Sequence, residues 1–239
     1  MTDRHIVTAY DDELQSVIRA VAQCGGMAEQ LVSQSIVALT RLDTDVARAV
    51  IADDKQIDDL QRDIESMAIT LIARRQPVAA DLREVVAAIR IANDLERVGD
   101  LAKNIAKRVI AVQDQFQSQR VVHGVEHMAG LALAQLKNVL DSYAARDVRE
   151  ADAVWSRDEE IDALYTSLFR ELLTYMMEDP RNITFCAHLL FCAKNVERIG
   201  DHATNIAETV HYLVTGEALT EERPKKSSVL PFDLPQTHD

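Results

Sequence analysis

The 239-residue sequence predicts an all-α protein, a tandem duplication of a three-helix bundle with six long helices in two repeats. Three observations carry that expectation. Hydrophobic residues make up 47% of the chain while aromatic residues are only 5% and Gly and Pro number 7 and 5, which is the profile of a helical chain. Apolar residues recur at three-four spacing over long segments without internal Pro. Finally, an eleven-residue stretch occurs twice: Glu96-Arg97-Val98-Gly99-Asp100-Leu101-Ala102-Lys103-Asn104-Ile105-Ala106 returns 101 residues later as Glu197-Arg198-Ile199-Gly200-Asp201-His202-Ala203-Thr204-Asn205-Ile206-Ala207, with eight positions identical. Repetition at that distance decides the architecture.

Taken in order, Asp11 and Asp12 are candidate N-caps for a first helix reaching Arg41, which Gly25-Gly26 is expected to interrupt as a bend or a close helix contact. Asp43-Thr44-Asp45 turns the chain into a second helix over 46–75, seamed by Val50, Ile57, Leu60, Ile64, Met67 and Leu71. Pro77 marks the next turn, and a third helix over 78–116 carries the first motif, with 114–119 polar enough for a linker. The second half repeats the plan with helices over 122–144, 148–178 and 182–214, the last two separated by Pro180. Asp54-Lys55-Gln56-Ile57-Asp58 is echoed by Asp158-Glu159-Glu160-Ile161-Asp162, so the units are 1–117 and 118–215, followed by a polar tail over 216–239 expected to be mobile.

Helix geometry stacks Glu96, Asp100 and Asn104 along one stripe, and Glu197, Asp201 and Asn205 along another. Carboxylates four apart repel by about 0.2 to 0.5 kcal/mol, and a helical Gly costs about 1 kcal/mol relative to Ala, so the stretch is poor helix filler. If the second and third helices form a hairpin at Pro77, Asp54 comes level with Asp100 and Asp58 with Glu96. In the second unit Asp158 comes level with Asp201 and Asp162 with Glu197. Each unit thus gathers four carboxylates and an amide, a hard-oxygen set suited to Mg, Mn, Ca or Fe and able to hold Zn. Phase against the seam of Leu95, Val98, Ala102, Ile105 and Val109 puts the stripe on the outside of the bundle, and Gly99 and Gly200 leave room beside it for an ion or a close partner.

A formal charge of −13 argues against nucleic acid and against anionic membrane surfaces as direct partners. The polar N-terminal stretch and the lack of a long apolar run imply a cytoplasmic protein without membrane insertion. Cys24, Cys186 and Cys192 are odd in number and lack a paired spacing, which reads as reduced, buried side chains. The apolar starts of the third and sixth helices (Val85, Val86, Ile89; Cys186, Leu190, Phe191) suggest that the two bundles, or two subunits of a homodimer, pack there.

The two E-R-[VI]-G-D-x-A-x-N-I copies, each preceded on the neighbouring helix by D-x-x-[QE]-I-D, resemble the PhoU family of phosphate-signalling regulators over residues 10–215. The resemblance implies two symmetry-related three-helix bundles, no catalytic activity and an E/DxxxD metal signature falling on Asp54, Asp58, Glu96 and Asp100, then Asp158, Asp162, Glu197 and Asp201. It also implies a negative regulator of phosphate-starvation signalling and phosphate uptake that links a phosphate ABC transporter ATPase to a sensor histidine kinase, at the inner face of the membrane through those partners. The metal, Fe, Zn, Mn or Mg, stays open. Two alternatives are a carboxylate-bridged di-metal enzyme and a metal-free helical adaptor. The enzyme is disfavoured because ferritin-like sites need Glu-x-x-His, and the positions three after Glu96 and Glu197 are Gly99 and Gly200.

Overall fold

The computed structural model describes residues 2–113 and 119–219, and every regular element among them is helical. The first unit comprises α1 (Thr2–Arg41), α2 (Thr44–Arg75) and α3 (Ala80–Ala111). The second comprises α4 (Gln119–Ala145), α5 (Val148–Trp155), α6 (Asp158–Glu178) and, after a 3-10 turn at Pro180–Asn182, α7 (Ile183–Thr215).

The units share their local chemistry as well as their motif. In the first, Asp43 caps α2 by accepting from the backbone N–H groups of Asp45 and Val46, both at 3.0 Å, after Leu42 has turned into the left-handed region at φ 50°. In the second, Asp147 caps α5 by accepting from Arg149 and Glu150, after Arg146 has turned at φ 54°. An aspartate in extended backbone satisfies amides that have no partner inside the helix, so it fixes where the helix starts. Asp43→Ala and Asp147→Ala should each cost about 1 kcal/mol and, being far apart, should add in the double variant. Urea midpoints test this, and unchanged midpoints would deny the caps their role.

Several expected boundaries move. Helix α1 already runs through Asp11 and Asp12, so neither is an N-cap, and Gly25-Gly26 does not interrupt it. Gly25 instead permits close approach, because a Cβ there would lie 2.8 Å from Leu140 Cδ1 of α4, while Gly26 faces open space. Helix α3 starts at Ala80, and α4 starts at Gln119, which was expected in the linker. Helix α3 also ends at Ala111, short of the expected Phe116, with Val112 and Gln113 in a turn, while the 117/118 boundary and the tail from residue 220 lie outside the described residues.

The largest difference is the break that divides the expected fifth helix into α5 and α6 at Ser156-Arg157. The Ser156 hydroxyl donates to Ala153 O at 3.0 Å, and the Gln135 side-chain amide of α4 donates to Arg157 O at 3.2 Å. Side chains that bond to backbone carbonyls offer the chain an alternative to the helical ladder, and the break occurs where two of them do so. It leaves Asp158 at the first position of α6.

Helix α3 packs against α1, α2 and α7, and the expected seam of Leu95, Val98, Ala102, Ile105 and Val109 is fully buried. Helix α7 runs antiparallel to α3: Arg90 lies over the Tyr212 ring at 5.9 Å, Asp94 faces Asn205, and Arg108 lies over Phe191 at 4.4 Å. The bundles therefore pack against each other, along much of both helices and not only at their apolar starts. Buried side chains of the two units form one continuous hydrophobic cluster. Cys24, Cys186 and Cys192 are free thiols within it, and burial pushes the Cys24 thiol up to about 12. Among the described residues no helix is long and apolar enough to cross a membrane.

Candidate metal centres

The first cluster forms where α2 and α3 lie side by side. Asp54 is only 3% exposed although it carries a carboxyl group, and Lys103 from α3 joins it to Asp100. The Lys103 Nζ donates to Asp54 Oδ2 and to Asp100 Oδ1, both at 2.5 Å, so the predicted pairing of Asp54 with Asp100 across the helices is present. Burial works against the Lys103 ammonium, but its hydrogen bonds to Asp100 and Asp54 outweigh this and raise its pKa. Glu96 is pushed up by burial and then by the negative charges of Asp100, Asp58 and Asp54, so Asp58 also lies within electrostatic reach. Asp54 is pushed up by burial in spite of Lys103. Asn104 remains exposed on the same stripe.

The second cluster repeats the carboxylates with different neighbours. Asp158 is 4% exposed, and the buried Thr204 hydroxyl donates to its Oδ1 at 2.9 Å. Glu197 is raised by burial, with Asp201 and Asp162 adding to the shift, which places Asp162 on the Glu197 side as predicted. Lys194 donates to Glu197 Oε1 at 2.6 Å from the outer edge. Asn205 does not follow the others. Its Nδ2 donates to Asp94 Oδ1 of α3 at 3.3 Å, and the same oxygen lies 2.8 Å from His202 Nδ1. Asn205 and His202 thus join the bundles, and Asp94 had no signal in the sequence because its counterpart in the repeat is Asn195.

Two further expectations need correction. The stripe is only partly on the outside: Glu96, Asp100, Glu197 and Asp201 are all half-buried while Asn104 is exposed, because α3 and α7 each pack against several helices. Nor is the space beside the motif glycines free for an ion. A Cβ on Gly99 would lie 3.1 Å from Ile57 Cδ1, and one on Gly200 would lie 2.8 Å from Ile161 Cδ1, so the glycines admit the isoleucine of the partner helix.

Among the described residues no three or more His, Cys, Asp and Glu side chains converge as a ready cage. The donor set nevertheless fits a hard cation. Asp54 Oδ1, Asp158 Oδ2 and Glu197 Oε2 are buried and accept no hydrogen bond, an arrangement that is costly for carboxylates unless a cation or a proton satisfies them. A cation would have to draw the carboxylates together.

Raised carboxyl pKa values give a signed pH dependence in metal-free protein. Between the ordinary Glu value of 4.5 and its raised value, the folded state binds more protons than the unfolded one, so stability falls as pH rises through that window. Chelated protein should therefore melt higher at about pH 5.5 than at pH 7, and Glu197→Gln should flatten the slope. A melting temperature that falls on acidification would contradict this.

These features define a class, a duplicated helical scaffold carrying two carboxylate-lined grooves. Comparison with known families then fixes its place: the PhoU domain model matches residues 21–109 and again 125–210, and the chain belongs to the PhoU family. It is 59% identical over 225 residues to the phosphate-specific transport system accessory protein PhoU homolog of Rhizobium meliloti (strain 1021), covering 94% of this chain and 95% of that one. The accessory protein PhoU of Escherichia coli (strain K12) is 37% identical over 90% of this chain and 89% of its own. Among solved structures, PhoU from Pseudomonas aeruginosa superposes with a TM-score of 0.84 at 37% identity, over 87% of this chain and all of that one. The phosphate transport system regulatory protein PhoU from Streptococcus pneumoniae gives 0.81 at 29% identity, over 88% and 99%. These relatives carry the names of accessory and regulatory proteins.

Proposed function

We propose that this chain is an accessory regulator of a phosphate-specific transport system, acting by contact with other proteins and holding metal ions at its acidic grooves. The observation that carries the reading is near full-length identity of 59% to a relative named as an accessory protein of that system. In this reading the chain represses phosphate-starvation signalling when phosphate is plentiful, working at the inner face of the membrane between the transporter ATPase and a sensor histidine kinase. The acidic surface, net −13, suits basic patches on such partners. The metal would be held by Asp54, Asp58, Glu96 and Asp100 in one groove and by Asp158, Asp162, Glu197 and Asp201 in the other; Asn104 would join the first, and Asn205 would have to leave Asp94 to join the second. Bound there, Fe, Zn, Mn or Mg would supply positive charge that locks paired helices together and sets the potential of the docking face.

The test is genetic. A strain lacking the gene should express its phosphate-responsive genes in high phosphate, and the intact gene should restore repression. Normal repression in the deletion strain would overturn the regulatory reading. Co-purification of tagged protein with the transporter ATPase and the kinase addresses the partners.

A further inference from the structure

The motif copies are nearly identical, yet the grooves they line differ at one position with a chemical consequence. Lys103 stands in the first copy where Thr204 stands in the second. The Lys103 ammonium lies between α2 and α3, in contact with a carboxylate from each, so the first groove already contains a cation supplied by the chain. Thr204 donates a neutral hydroxyl to Asp158 and brings no charge. Lys194 does not replace it, since it lies at the rim, pairs with Glu197 Oε1 of its own helix and sits over the Tyr165 ring, and leaves Glu197 Oε2 buried and unpartnered.

The carboxylates differ in the same sense. Asp158 Oδ2 and Glu197 Oε2 in the second groove are buried and accept no hydrogen bond, against Asp54 Oδ1 alone among the first groove's carboxylates.

Building on the metal reading above, we propose that the second groove is the resident cation site, while Lys103 stands in for a cation in the first. A divalent ion enters the first groove only by displacing that ammonium. The two halves of the molecule thus differ in metal affinity even though their acidic signatures match, and metal occupancy acts mainly on the α6–α7 hairpin.

The test is Mn2+ binding to the full chain, stripped by chelation, measured by calorimetry and by electron paramagnetic resonance of free Mn2+. The natural protein should show one tight class of sites and one weak class. Lys103→Thr should tighten the weak class by about tenfold or more, the scale of losing one charge-assisted competitor. Thr204→Lys should remove the tight class while helical content by circular dichroism stays unchanged. A Lys103→Thr isotherm that coincides with that of the natural protein would overturn the proposal while leaving metal binding intact. No Mn2+ bound by either protein would overturn the metal reading itself.

Discussion

Leu95→Ala should destabilise the protein by roughly 2–5 kcal/mol, which for a chain of this size lowers the melting temperature by about 5–15 °C. Leu95 is fully buried on α3, the helix that packs against α1, α2 and α7. Truncation there removes apolar contact and leaves a cavity that three rigid neighbours cannot collapse around. Since the buried side chains of both units form one cluster, the loss should appear as a shift of a single transition and not as early melting of the first unit. Val196, the equivalent position on α7, is also fully buried but smaller, so Val196→Ala should cost less. Thermal denaturation followed by circular dichroism measures both. A shift under about 1 kcal/mol for Leu95→Ala, or two separated transitions in the natural protein, would contradict the shared core.

Arg146→Ala should cost roughly 1–3 kcal/mol at neutral pH, and most of the cost should disappear on acidification. Arg146, in the turn between α4 and α5, pairs with Glu84 of α3, so the contact ties one bundle to the other. Glu84 is almost wholly buried, and burial holds its carboxyl above the usual range even with Arg146 present. Removing the guanidinium strands that carboxylate, while the half-exposed arginine itself loses little, so the cost stays below that for a fully buried pair. A folded-state pKa that is raised means stability returns as pH falls and Glu84 takes up a proton. Glu84→Gln in the Arg146→Ala background should recover stability at pH 7. If the single variant lost the same amount at pH 5.5 and pH 7, the stranded carboxylate would not be the cause.

Much of the candidate site was legible because it repeats. Asp54 and Asp100 meet as the hairpin register requires, and Asp58 and Asp162 lie within electrostatic reach of Glu96 and Glu197. Residues with no repeat partner were not legible. Asp94 acquires a role only because His202 and Asn205 reach it from the other bundle, 108 and 111 residues away. Gln135 bonds to the carbonyl at the α5–α6 break only because α4 brings it there.

Sequence by itself determined the helices, their duplication, the core seam of α3 and the heights at which the carboxylates come level. Those features follow from periodicity, and a period along the chain is written in the chain. Tertiary structure alone decided how deep the carboxylates sit, that Gly99 and Gly200 make room for Ile57 and Ile161 and not for an ion, and that Lys103 turns inward between two aspartates. Each of those depends on which neighbouring helix closes over a face and how near it comes, and no spacing within a single helix carries that information.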